Sequence, residues 1–240
     1  MFKTIKHIIC FGLLFNNFHL ADSFKGHFMT RHNFIKNTLL MATNDNLHKI
    51  QYGNEEPDEN GQLSTLNKYN NNIYFIGVLD DETCFGINES LLKQKNRILT
   101  DEKIKEKHIN LYLQSPGGAL LPTLGLVDSI KNFEVPVYTY IYGYVGSAAT
   151  LLSVVGKKRF IYKHSTMMIH GIKFNSRFAV DSLVQVKDLN DNVDLFMDNI
   201  KDIYLSNSDL TSDILDEMFM HDKWFSSKTA LEYGLVDEIL

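Results

Sequence analysis

The chain has 240 residues, 44% apolar and 22% charged, a length and balance that suit one sizeable hydrophobic core and exclude general disorder. Its net charge of -5 gives no electrostatic ground for nucleic acid as the main partner. Of the two cysteines, Cys10 and Cys84, only Cys84 lies beyond the N-terminal segment, which excludes an internal disulfide framework and argues against a zinc cluster.

The N-terminus reads as an address rather than as fold. Lys3 and Lys6 precede an apolar run at residues 8–15 that is too short to span a bilayer, and small residues follow at Ala21 and Ser23. Residues 1–23 therefore fit a signal peptide. Residues 24–44 contain no acid and carry Lys25, Arg31 and Lys36, as a transit peptide does. The pair, its second part opening on Phe24, resembles the bipartite import leader of plastids bounded by extra membranes. That implies a plastid or apicoplast stroma, with a plain secretory or mitochondrial leader as the alternative. Residues 45–70, polar and rich in Asn, Glu and Asp, read as a flexible linker.

From residue 71 the periodicity changes. Residues 73–79 (IYFIGVL) form a short apolar run and residues 109–113 (INLYL) alternate, so both read as strands. Apolar residues at 120, 121, 124, 127 and 130 have helical spacing within residues 119–133, and residues 135–142 (VPVYTYIY) are a third strand. Strand, helix, strand in that order predicts a parallel βαβ unit. Short strands are expected at 159–162 and 166–169. Residues 179–204 carry one apolar stripe (Val193, Phe196, Met197, Ile200, Ile203, Tyr204) opposite Asp191, Asp194, Asp198 and Asp202, the pattern of a long amphipathic helix. A shorter helix follows Leu210. Ser226 caps a last helix that Gly234 stops, and residues 235–240 close as a strand or turn. One α/β domain fits this order.

Four places can carry chemistry. Ser115-Pro-Gly-Gly118 joins a strand to a helix, where glycines leave amide N–H groups open to a phosphate or a developing oxyanion; a plain structural turn is the alternative. Ser147, in Tyr142-Gly-Tyr-Val-Gly-Ser-Ala-Ala-Thr150, opens an apolar helix with the Ala148 N–H beside it. Ala149 replaces the second glycine of a G-x-S-x-G elbow, which disfavours an α/β-hydrolase, and close helix packing is the bland reading of the small residues. His170 ends an apolar strand and is either a base or a hydrogen-bonded structural residue; His164 looks like a turn residue. Asp222 lies in the loop before the last helix and either orients an imidazole or is an ordinary loop acid. Serine chemistry needs all three, because the hydroxyl is a weak nucleophile until a base takes its proton and a carboxylate fixes that base. The chain order Ser, His, Asp differs from those of chymotrypsin and subtilisin.

Together, Ser115-Pro-Gly-Gly118, residues 143–148, Met168-Ile-His170, and Asp222 leading into Glu232-Tyr-Gly-Leu-Val-Asp237 resemble the proteolytic subunit of the Clp (caseinolytic) protease family, over residues 71–240. The resemblance implies a Clp/crotonase-like α/β spiral of ββα units with a protruding handle helix. It places Ser147 on the nucleophile, His170 on the general base and Asp222 on the orienting acid, with the Gly118 and Ala148 N–H groups as oxyanion hole. It implies a serine endopeptidase that hydrolyses unfolded proteins inside homo- or hetero-heptameric rings, single or stacked through the handles. The feeding AAA+ Clp unfoldase would consume the ATP. This chain has no G-x-x-x-x-G-K-[ST] loop and is not expected to bind ATP itself; no cofactor, metal, nucleic acid or membrane partner is expected of its mature form. An oxyanion donor is worth about 3–4 kcal/mol at the transition state, so Gly118→Pro is expected nearly to abolish turnover. Departures from the family pattern fall at Gly171-Ile172 (usually Gln-Pro), at residues 173–177, at residues 156–159, at His221 (often Arg) and at Leu240, where a tail is customary. Two other readings compete: a non-catalytic structural ring subunit of a plastid Clp complex, and a crotonase-type acyl-CoA enzyme that shares the spiral fold.

Overall fold

The computed structural model describes residues 64–173 and 183–240. The leader segments, most of the linker and residues 174–182 lie outside them. The described chain runs β1 (Thr65–Tyr69), β2 (Asn72–Ile76), α1 (Asp81–Thr100), β3 (Ile109–Ser115), α2 (Leu120–Lys131), β4 (Val137–Gly146), α3 (Ala148–Val154), β5 (Lys158–Ile161), β6 (Thr166–Met168), α4 (Leu183–Ser206), α5 (Ser212–Phe219), β7 (Trp224–Ser226), α6 (Ser227–Glu232) and β8 (Glu238–Ile239).

The α/β class is as expected. Strands β2, β3, β4 and β5 lie side by side in chain order and pair in parallel, with α1, α2 and α3 as the crossovers between them. Each strand–helix unit therefore advances one place along the sheet, and α1 packs on α2 and α2 on α3. A parallel sheet covered by helices buries its strands: Ile73, Phe75, Ile109, Leu111, Leu113 and Ile141 are at most 1% exposed. On the helix side, Ile87, Leu91, Ala149 and Leu152 are completely buried. All seven residues of α3 are buried, so this short helix is the centre of the core rather than its cover.

Three expectations need correction. The linker reading fails at its end, because Thr65–Tyr69 is an edge strand paired antiparallel with β2. A two-residue turn, Asn70–Asn71, closes that hairpin with Asn70 at φ 52°, a left-handed conformation that Asn tolerates better than most residues. The first parallel strand stops at Ile76, and Leu79 instead makes an isolated parallel bridge to Gly118. Finally, β4 does not end at Tyr142 but continues to Gly146.

One helix was not anticipated. α1 begins at Asp80, whose carboxylate accepts from the Thr83 N–H at 2.7 Å while the Thr83 hydroxyl accepts from the Asp80 N–H at 2.8 Å. Its buried face is Cys84, Ile87, Leu91 and Ile98, with Ser90 and Gln94 filling the gaps in the stripe. Leu91→Ala empties a fully buried site and is expected to cost about 2–5 kcal/mol. A fall in urea midpoint at constant slope measures that loss.

Candidate active site

Strand β4 has two sets of partners. Its first half, Tyr138 to Ile141, pairs with β5, and its last three residues, Tyr144 to Gly146, pair with β6. Along β3 the register runs from Leu113↔Ile141 to Ser115↔Val145, so β4 carries two extra residues between these pairs. Gly143 sits in that bulge at φ 87°, and its N–H donates to the Ser165 hydroxyl at 2.9 Å. The bulge turns the end of β4 out of the main sheet and toward β6.

Ser147 follows immediately, at φ 52° and ψ −132°, between β4 and α3. A non-glycine residue there costs on the order of 1–3 kcal/mol, and such strain survives only where the surroundings enforce it. They do so here. The Ser147 N–H donates to Met168 O at 2.8 Å, and Ser147 O accepts from both the Thr150 N–H at 2.9 Å and the Thr150 hydroxyl at 2.5 Å. The Ser147 side chain makes no capping bond to α3. It is thus a serine on a strained strand-to-helix turn, reached without the G-x-S-x-G sequence.

The loop Ser115-Pro-Gly-Gly118 crosses this turn. Gly117 is at φ 101°, and a Cβ on it would lie 2.7 Å from Ser147 Cβ, 2.7 Å from Gly146 O and 3.0 Å from Ala148 N. Only glycine lets the loop come this close to Ser147 and the Ala148 N–H. Gly118 is held against Leu79: the Leu79 N–H donates to Gly117 O at 2.9 Å and the Ala119 N–H to Leu79 O at 2.7 Å. In a parallel bridge of this pattern the N–H of the middle residue points away from its partner, so the Gly118 amide faces away from Leu79. The Ala148 N–H stands in the first turn of α3, where an amide has no partner within the helix.

His170 and Asp222 are brought near each other by β6 and β7. These pair antiparallel as Thr166↔Ser226, Met167↔Phe225 and Met168↔Trp224. The pairing ends there, and His170 and Asp222 follow two residues beyond it on the two segments. The side chains nevertheless stop short of a hydrogen bond, with His170 Nδ1 4.0 Å from Asp222 Oδ1. His170 is 11% exposed, and its Nδ1 is buried without a partner. Asp222, 55% exposed, accepts instead from the Lys173 ammonium through Oδ2. That hydrogen bond holds the Asp222 carboxyl below the usual carboxylate range. The structure thus brings the three residues to one end of the β4–β6–β7 branch but leaves the His–Asp link open.

Other candidates separate from this place. His164 lies in the turn after β5, as its sequence context suggested. His221 is exposed and lines a shallow depression with Glu217, Asp222 and Lys223. Burial pushes the Cys84 thiol up to about 11, which removes it as a nucleophile. Among the described residues no group of three or more His, Cys, Asp or Glu side chains is placed to hold a metal ion.

In the sequence Tyr204 has only a place in the apolar stripe and Thr150 only a place in the Ser147 motif, and the structure joins them. Tyr204 of α4 is 2% exposed, and its hydroxyl meets the Thr150 hydroxyl at 2.5 Å. The Thr150 hydrogen is already given to Ser147 O, so Tyr204 is the donor. The long helix is thereby linked through Thr150 to the carbonyl of the strained serine. Tyr204→Phe is expected to cost about 1 kcal/mol of stability, read by thermal melting. It should also slow fluorophosphonate labelling of Ser147, because the lost bond braces that residue's carbonyl through Thr150.

Gly118→Pro proves a poor probe of an oxyanion hole. Gly118 is at φ 153° and a Cβ there would run into the Leu79 backbone, so proline would dismantle the bridge itself. Gly117→Ala is more informative. It is expected to push the loop off the Ser147 turn and to slow phosphonate labelling of Ser147 by at least about tenfold, with circular dichroism unchanged.

Comparison with known proteins gives this arrangement a family. The Clp protease family model matches residues 73–240, from the first residues of β2 to the end of the chain. An ATP-dependent Clp protease proteolytic subunit from Deinococcus radiodurans is 30% identical over 146 residues, covering 60% of this chain and 70% of that protein. Proteins of the same description from Cyanophora paradoxa (35% over 124 residues, 50% and 60% covered) and Bigelowiella natans (30% over 172 residues, 70% and 83% covered) are similar to it as well. With the match spanning nearly all of the described sheet and helices, the chain belongs to the Clp protease family.

Proposed function

We propose that this chain is the proteolytic subunit of an ATP-dependent Clp protease, a serine endopeptidase that works as part of a ring. The observation that carries the reading is the meeting of a strained serine, an open glycine loop and a His–Asp pair at one end of the β4–β6–β7 branch. Similar proteins are described as ATP-dependent Clp protease proteolytic subunits, which agrees with it.

In this reading His170 Nε2 takes the Ser147 hydroxyl proton while Oγ bonds to the scissile carbonyl carbon. The Gly118 and Ala148 N–H groups donate to the oxygen that becomes negative. Collapse of that intermediate breaks the C–N bond, and the leaving amine takes the proton from His170. The acyl group stays on Ser147 as an ester. Water, deprotonated by His170, then attacks the ester, releasing the carboxylate product and restoring the serine. Asp222 steadies the imidazole through Nδ1 while it carries positive charge. The chain needs no cofactor for any of these steps.

Substrates would be unfolded polypeptides delivered by an AAA+ partner, with the rings made of this subunit alone or mixed with relatives. A plastid-type organelle is the proposed compartment, in keeping with the N-terminal leader reading and with relatives in Cyanophora paradoxa and Bigelowiella natans. A second reading, a non-catalytic ring subunit, is favoured by one observation: the gap between His170 Nδ1 and Asp222.

One experiment separates the two. The assembled chain starting near residue 45 is treated with a fluorophosphonate probe, and peptide hydrolysis is measured alongside. An active subunit is modified at Ser147, and Ser147→Ala loses both labelling and hydrolysis. Assembled rings that show neither in the native sequence belong to the non-catalytic reading.

A further inference from the structure

Among the described residues Lys173 is the one cation hydrogen-bonded to the acid of the proposed triad, and the mechanism above gives it no part. Its ammonium donates to Asp222 Oδ2, while Asp222 Oδ1 faces a His170 Nδ1 that has no partner. The backbone does not impose this arrangement. His170 and Asp222 each lie two residues beyond the last β6–β7 pair, Met168↔Trp224, so the pairing brings their segments close without fixing which partner the carboxylate takes. The carboxylate is drawn to the cation, which reaches it from three residues beyond His170 on the same segment.

We propose that Lys173 is a positioning residue that restrains catalysis, competing with His170 for Asp222 and so setting how often the His–Asp link is closed. The inference rests on the triad reading and adds a control element to it. Two physical effects act in the same direction. The Lys173 contact keeps the carboxylate beyond hydrogen-bond distance of the imidazole, so nothing fixes the Nδ1 proton. A cation on the same carboxylate also offsets the negative charge that should stabilise His170 once it has taken the serine proton. The depressed titration of Asp222 reports the same attraction. Lys173 and Asp222 are 62% and 55% exposed, so water competes for both and the restraint is weak enough to be left and remade.

The test compares Lys173→Met and Lys173→Arg in the assembled chain, each alone and combined with Asp222→Asn. Readouts are the second-order rate of fluorophosphonate labelling at Ser147, and kcat and KM for a peptide. Lys173→Met is expected to raise labelling and kcat about two- to fivefold at unchanged KM, the scale of an exposed ion pair. Lys173→Arg keeps the pair and should match the native chain. In the Asp222→Asn background the gain from Lys173→Met should vanish, because a residue acting through Asp222 has nothing left to act on. A purely structural lysine would show no such dependence. If Ser147 labels normally but Lys173→Met is equal or slower, or its gain persists without the carboxylate, the restraint is overturned and the peptidase reading stands. If no variant labels at Ser147 in assembled rings, the peptidase reading falls and this proposal with it.

Discussion

The site depends on one strand pairing in two directions. Strand β4 is committed to β5 over its first half and to β6 over its last three residues, and no straight strand satisfies both. The two extra residues around Gly143 resolve the conflict by bending the strand, and the N–H freed by the bend is taken by Ser165. That bend aims Ser147 at the branch rather than into the main sheet. Because α3 must begin at once and lie wholly inside the core, the chain has a single residue in which to turn. The positive φ of Ser147 is the consequence. Packing of α3, with every residue buried, supplies the energy that holds it.

The glycine loop depends on that turn and supports it in return. Gly117 approaches so closely because Gly146 and Ser147 present only backbone and one Cβ on that side. The loop is pinned from behind by Leu79, which is 1% exposed and pairs with Gly118 through its own backbone. The Gly118 amide is therefore fixed in space by the fold itself, the preorganisation that the proposed oxyanion hole would need. On the far side of α3, Thr150 and Tyr204 carry the same rigidity out to the long helix, so a tilt of α4 would be felt at the Ser147 carbonyl.

Much of this was legible in the sequence, for reasons that can be named. The parallel strands show as short apolar or alternating runs, and α4 and α6 announce themselves by an amphipathic stripe and a Ser226 cap whose hydroxyl accepts from the Thr229 N–H. Helix α1 was hidden because it carries a second apolar stripe on its open side, where Phe85, Leu92 and Leu99 are 70%, 42% and 51% exposed. Two stripes on one helix blur the period. Its capping box also uses Thr83 in place of the usual Glu or Gln. Strand β1 was hidden by composition: an edge strand with polar, exposed residues next to three asparagines reads like a linker until a partner strand is seen. The full length of β4 was missed because glycines at 143 and 146 read as loop, although the first is a bulge and the second lets Trp224 and Met168 close in.

The His170–Asp222 relation shows where pattern reading and backbone geometry both run out. Residue types proposed the pair, and the β6–β7 pairing brings their two segments together up to two residues short of them. Neither decides which cation an exposed carboxylate will hold. His170 is nearly buried and its ring is confined by the strand end, whereas Asp222 has more than half of its side chain in water and can turn. The exposed carboxylate takes the ammonium as its partner, since a full charge attracts it more strongly than an uncharged ring does. The balance changes when His170 takes a proton, since both neighbours then carry positive charge and the buried one is less screened by solvent. Proton transfer from Ser147 would thus recruit Asp222 as it occurs. An open link in the resting chain is therefore compatible with the proposed chemistry, with the lysine acting on it as a modest, reversible restraint.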